Sequence, residues 1–295
     1  MKVAYTAWTW LQDEYNNWAP PSPYPKRDFE QSLRDLKDCG YQYMENFNVV
    51  ADIYENDKEE FDALMEKYGI EFSCIYTYLT DNLEKDLKIG ERCAKFAKEH
   101  NFSIMNLEMP RKKIGQPLDE ETMLGVCRAA DEMAKVCKKY GLQMNMHPHW
   151  GTYVETEAQI DFFLEHVTED MKLCLDTAHT TLCGMEPKYL YDKYLSAGKV
   201  GYVHLKDISG APGEERDCVG KMVQDPELYR VADPAYPPRR FRALGQGIVD
   251  FPGILEVLKK HGYDGFLTVE LDFNRVNNYE SARTSRKYIK DMLGL

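Results

Sequence analysis

A single α/β domain folded as a (β/α)8 TIM barrel is what this sequence predicts, and three observations carry that expectation. Short β-branched or aromatic runs alternate with longer amphipathic segments all along the chain. The runs number eight, and 295 residues suit one such barrel spanning 1–295. A doubly wound sheet is the competitor, but it uses fewer strands and places a glycine-rich phosphate loop after the first. Here the first run ends in Trp8-Thr9-Trp10.

The runs read as strands are Lys2–Thr9, Tyr41–Asn46, Glu71–Thr77, Ser103–Glu108, Gln143–His147, Lys172–Asp176, Gly201–Lys206 and Phe266–Glu270. The clearest helix covers Glu120–Tyr140, where Met123, Val126, Ala130, Met133 and Cys137 recur at three- and four-residue steps and Gly141 supplies the stop. A second covers Phe251–Lys260, with Asp250 as its cap, Pro252 in the first turn and Gly262 beyond its end. A third, Tyr279–Met292, closes the barrel after strand eight. The longest irregular stretch, 208–247, carries Pro212, Pro226, Pro234, Pro237 and Pro238. Loops of that length in a compact domain are usually functional.

Barrel active sites lie at the C-terminal ends of the strands. Those ends carry Trp8 and Trp10, Glu45 and Asn46, Tyr76 and Tyr78, Glu108, His147 and His149, Asp176 and His179, His204 and Lys206, and Glu270 and Asp272. A lone buried histidine more often bonds a carbonyl than a metal, but His147, Asp176, His204 and Glu270 end four successive strands. Two imidazoles and two carboxylates suit Mn²⁺, Co²⁺, Fe²⁺ or Zn²⁺, with Mn²⁺ the first expectation.

The strings Gly141-Leu-Gln-Met-Asn-Met-His147-Pro-His149, Leu175-Asp176-Thr-Ala-His179, Tyr202-Val-His204-Leu-Lys206-Asp207 and Leu244-Gly-Gln-Gly247-Ile-Val-Asp250-Phe resemble the xylose isomerase-like barrel superfamily of sugar phosphate isomerases and epimerases. The resemblance implies one divalent metal on His147, Asp176, His204 and Glu270. Keto-sugar epimerases of that superfamily usually carry Glu where this chain has His147, which removes one of their paired acid–base carboxylates. His-Pro-His followed by Trp-Gly-Thr is more similar to inosose dehydratases and to the catalytic subunits of C-glycoside deglycosidases, both lyases. A small keto-sugar or keto-inositol is then the implied substrate, and β-elimination beside its ketone the implied reaction. A keto-sugar isomerase or epimerase, and a non-catalytic sugar-binding barrel, stay open as alternatives.

For that chemistry His149 is the first choice as base, since it lies two residues beyond His147 on the same face of an extended chain. His179 is an acid or a substrate ligand, Lys206 a stabiliser of the enolate or the leaving oxygen, and Glu108 a sugar ligand or alternative acid. Trp8, Trp10, Tyr76 and Trp150 are candidate stacking faces for sugar rings, with core packing as the competing use. Arg239, Arg240 and Arg242 form a basic group in which Arg242 is the candidate substrate contact, against simple pairing with surface acids.

Composition excludes other classes. Lys+Arg total 37 against 49 Asp+Glu, a net charge of -12. Such a surface repels phosphate backbones and anionic lipid, so neither nucleic acid nor membrane is expected as a partner, and the endonuclease branch of the superfamily is disfavoured. No apolar run reaches membrane-spanning length and the N-terminus lacks an apolar leader core, so a cytoplasmic location is expected. Eight cysteines without a CxxC pair read as reduced core thiols. A homo-oligomer is the expected assembly, or, as the resemblance to C-glycoside deglycosidases implies, a complex with a small accessory subunit.

Overall fold

Eight parallel strands alternate with helices in this computed structural model, which describes residues 1–12, 22–112, 118–210, 240–272 and 277–295. The barrel strands are β1 (Lys2–Thr6), β2 (Tyr43–Phe47), β3 (Glu71–Tyr78), β4 (Ile104–Glu108), β5 (Gln143–His147), β6 (Lys172–Asp176) and β7 (Val200–Leu205). A two-stranded antiparallel ribbon, β8 (Asp207–Ile208) with β9 (Phe241–Arg242), precedes the last barrel strand, β10 (Phe266–Val269). The ladder closes in the order β1-β10-β7-β6-β5-β4-β3-β2, so the chain is a single (β/α)8 barrel.

Around it lie α1 (Pro25–Cys39), α2 (Val49–Ile53), α3 (Lys58–Tyr68), α4 (Leu83–Glu99), α5 (Glu120–Tyr140), α6 (Glu157–His166), α7 (Thr177–Leu182), α8 (Pro187–Ser196), α9 (Phe251–Lys260) and α10 (Asn278–Tyr288). The apolar stripe predicted on α5 is buried, and Gly141 takes the left-handed conformation (φ 79°) that ends it. Asp250 caps α9 by accepting from the Gly253 N–H at 3.0 Å. The last predicted helix divides into α10 and a terminal π-helical turn, Ile289–Leu293. The seven cysteines among the described residues are free thiols, six of them buried.

The predicted strands shift by a few residues at their ends, and the first shift matters for function. β1 stops at Thr6, and Trp8–Leu11 form a 3₁₀ turn. Trp10 folds back, packs edge-on to Tyr5 at 5.8 Å and donates its indole N–H to Asp35 on α1 at 2.8 Å. Expected on the barrel mouth, it belongs instead to the core.

Strand alternation sends one set of side chains into the barrel. There the Thr6 hydroxyl and the Asn106 amide donate to Glu45, at 3.2 and 3.0 Å, and Asn145 donates to Asn106 at 3.0 Å. All four residues are fully buried. Burying a carboxylate this deep is costly unless hydrogen bonds compensate it, and this network fixes Glu45 in place.

Of the predicted long loop, 211–239, including its five prolines and Arg239, lies outside the described residues. Its flanks are anchored by Asp207, whose carboxylate accepts from the backbone N–H of Ile208, Gly245, Gly247 and Val249 at 2.8–3.2 Å. A Cβ on Gly247 would sit 2.2 Å from Asp207 Oδ1 and 2.4 Å from the Ile208 carbonyl, so only glycine fits this close approach. Asp207→Ala therefore costs about 2 kcal/mol, because several of the freed N–H groups can turn to water. A thermal melt should fall by about 5 °C, and an unchanged melt would mean the four bonds anchor nothing.

Candidate metal centre

Four buried ligand-type atoms converge at the barrel mouth: His147 Nε2 and Asp176 Oδ2 have no hydrogen-bond partner, while His204 Nδ1 and Glu270 Oε2 face each other at 2.8 Å. They come from the ends of β5, β6 and β7 and the residue after β10, and one ligand atom from each residue falls within a 4.8 Å cluster. Their other atoms are committed. His147 Nδ1 bonds the Cys174 carbonyl at 3.0 Å, so its proton lies on Nδ1 and the Nε2 lone pair is free. His204 Nε2 faces the Glu45 carboxylate at 3.0–3.1 Å, which turns Nδ1 toward Glu270 and the other donors. Asp176 caps α7, with Oδ1 accepting from the His179 N–H at 2.7 Å, which turns Oδ2 inward.

Histidines that hand their second N–H to a carbonyl or a carboxylate are oriented as metal-binding imidazoles are. Converging buried donors of N,O,N,O type fit a first-row divalent ion. The sequence reading placed Glu45 at a strand end without a role. Its partnership with His204, 159 residues away, appears only once the barrel closes.

Beside these atoms Lys206 is wholly buried. Its ammonium lies 3.1 Å from both Asp272 oxygens, 3.0 Å from Glu270 Oε2, 3.6 Å from Asp176 Oδ2 and 3.0 Å from His179 Nε2, over the Phe241 ring at 4.8 Å. Glu270 Oε2 also lies 2.8 Å from His204 Nδ1. Burial pushes Asp176 up to about 7 and Asp272 up to about 6, with Lys206 opposing it in both. Burial acts the same way on Glu270, but Lys206 and His204 outweigh it and hold that carboxylate well below its ordinary range.

His149 and His179 lie against each other with ring centroids 3.7 Å apart and planes tilted by 38°, both buried. His149 Nδ1 bonds the Trp150 carbonyl at 2.7 Å, which puts its proton there and leaves Nε2 as the basic atom. His179 has the complementary tautomer. Its Nε2 accepts from Lys206, so the proton lies on Nδ1, which is buried and unpartnered. Burial holds both rings well below the usual imidazole range, with Arg111, then His147 and Lys206 adding to it at His149, and His149 and Lys206 at His179. Both are therefore neutral near pH 7.

The structure separates the remaining predicted residues. Glu108 is held between the Tyr76 hydroxyl at 2.9 Å and Arg111 at 2.9 Å, which suits a hydrogen-bond acceptor better than an acid. Tyr76 continues a stacked ladder at the ends of β1 to β3: Trp8 on Phe47 at 4.8 Å, and Phe47 on Tyr76 at 4.5 Å. Phe47 and Arg111 are additions that sequence reasoning missed. Trp150 packs with Ala178, Leu182 and Phe241 and lies against His149 at 5.9 Å, so it supports that ring. Arg242 sits on the β8–β9 ribbon, where it donates to the Phe241 carbonyl at 2.7 Å.

A parallel (β/α)8 barrel with two imidazoles and two carboxylates converging at adjacent strand ends is a barrel whose candidate metal centre lies where such folds keep their active sites. The chain belongs to the xylose isomerase-like TIM barrel family, whose model matches residues 33–292. It is 26% identical to an inosose dehydratase of Bacillus cereus (strain AH820) over 312 aligned positions, covering 100% of this chain and 98% of that protein. Among solved structures it resembles a probable 3-DHS dehydratase, AsbF, from Bacillus anthracis (TM-score 0.75, 16% identity, 99% of this chain and 100% of that one). It also resembles the IOLI protein with a bound zinc atom (TM-score 0.68, 17% identity, 99% and 97% covered). At these identities the two structures speak to the fold. Among the described residues no helix is long and apolar enough to cross a membrane.

Proposed function

We propose that this protein is a divalent-metal-dependent lyase that removes water by β-elimination from a keto-inositol or a related oxidised carbohydrate. The observation that carries the proposal is the set of four converging buried donors on His147, Asp176, His204 and Glu270 beside two neutral histidines of opposite tautomer. The full-length similarity to an inosose dehydratase supports the substrate class, and the zinc in the IOLI protein supports a divalent ion. Mn²⁺ is our first choice, with Co²⁺, Fe²⁺ and Zn²⁺ as competitors.

An ion on the four donors would supply a Lewis acid that offsets the negative charge developing on the ketone oxygen as the adjacent carbon loses its proton. His149 takes that proton on Nε2, its ring held by the Trp150 carbonyl. His179 gives its Nδ1 proton to the departing hydroxyl as the Lys206 ammonium passes a proton to Nε2, so water leaves, the ring stays neutral and the proton taken by His149 resets the pair through solvent. Because the two rings are adjacent, base and donor serve one side of the substrate, an arrangement suited to syn elimination. The aromatic ladder of Trp8, Phe47 and Tyr76 gives the carbohydrate a flat wall. Cleavage of a 3-keto-glycoside would share the first step and differ in its leaving group.

The test is a product assay on a keto-inositol with added Mn²⁺ or Co²⁺. Loss of water leaves an enol that tautomerises to a 1,2-diketone, followed by its absorbance or mass. Solvent deuterium appearing in recovered substrate with no diketone would instead favour the isomerase reading. On the active substrate, His149→Ala should lower kcat about a hundredfold or more. Undiminished turnover would remove His149 as the base.

A further inference from the structure

One layer below the four donors, Cys174 of β6 projects into the barrel, two residues before Asp176, in a fully buried group with Cys74 and Tyr202. One ligand atom each from His147, Cys174 and His204 lies within a 4.8 Å cluster. Two ligands of one ion can stand at most about 4.6 Å apart, twice the longest zinc–ligand bond, so sub-ångström adjustment completes a site. His147 Nε2 is buried without a hydrogen-bond partner, and His204 Nδ1 is buried against Glu270 Oε2 at 2.8 Å, a contact that an ion on the ring would replace, so two imidazoles stand beside the sulfur.

We propose that His147, Cys174 and His204 form a second, deeper metal position that takes thiophilic divalent ions such as Zn²⁺ or Cd²⁺. Its N,S,N donor set differs in softness from the N,O,N,O set above it. As the sulfur–metal bond forms, the thiol proton passes to solvent and the thiolate remains as ligand. Both positions draw on the same two histidines, so occupation of the deeper one excludes an ion from the upper one. A soft ion is thereby an inhibitor held within the barrel. The deeper position needs no particular reaction at the mouth, so it stands independently of the lyase proposal.

The experiment is a Cd²⁺ titration under reducing conditions of the wild type, of C174S, and of D176N/E270Q, which strips the carboxylates from the upper position. The expected result is an ultraviolet thiolate-to-cadmium band saturating at one equivalent in the wild type and in D176N/E270Q, and absent from C174S. C174S should bind Cd²⁺ about tenfold or more weakly while binding Mn²⁺ as the wild type does. A band that persists undiminished in C174S, or is missing from the wild type or from D176N/E270Q, overturns the proposal. Cadmium-113 NMR of the wild type tests it without a variant: a downfield resonance of mixed sulfur and nitrogen ligation supports it, and only an upfield oxygen- and nitrogen-type resonance overturns it. Failure of the lyase proposal would look different, as absence of turnover with any ion while the cadmium band remains.

Discussion

Replacing His147 by alanine should strip the protein of its bound divalent ion and of turnover together. His147 Nε2 is one of the four donors assigned to the ion, and its ring is oriented by the Cys174 carbonyl rather than by a group that could replace it. Metal content after gel filtration should fall to about a tenth of wild type or less, since losing even an orienting partner costs about 10–100-fold in affinity. Glu45→Gln is the graded companion. It keeps the shape of the side chain but removes the charge that holds His204 Nε2, so metal should bind about tenfold more weakly without being lost. Full metal content in His147→Ala would show that the four converging atoms serve no ion, and the proposed lyase would lose its Lewis acid. Equal affinity in Glu45→Gln would leave the metal centre standing and remove only Glu45 from it.

The barrel was legible because periodicity is a local property. The β1-to-β10 rhythm, the α5 stripe ending at Gly141 and the Asp250 cap are each set within a few residues. The convergence of His147, Asp176, His204 and Glu270 could be expected because the fold gives consecutive strand ends one address. What stayed hidden depends on side chains meeting across the barrel. Glu45 reaches His204 from the far side, and Arg111 reaches both Glu108 and the Trp150 carbonyl. Trp10 was misplaced for a related reason: aromatic residues extend the apparent strand in the sequence, while the indole N–H finds Asp35 and turns the ring into the core. The histidine tautomers lay further out of reach, because each is chosen by a neighbour contributed by a loop or by another strand.

Lys206→Met should destabilise the fold by about 3–5 kcal/mol, a drop of about 10 °C in the melt. The ammonium is wholly buried and is the near neighbour of three carboxylates, those of Asp272, Glu270 and Asp176. Methionine matches the length of the stem and its packing over Phe241, so the loss is of charge rather than volume. What makes it costly is that buried carboxylates remain without their counter-charge, which exceeds the net worth of the ion pair itself. Asp272→Asn removes one carboxylate and leaves Lys206 still against Glu270, so its cost should be smaller, about 1–2 kcal/mol. The double variant Lys206→Met/Asp272→Asn should then be more stable than the sum of the two single losses by about 1 kcal/mol or more, the sign of direct coupling. Strict additivity would place the two groups in separate environments and undo the reading of Lys206 as the charge around which this end of the barrel is built.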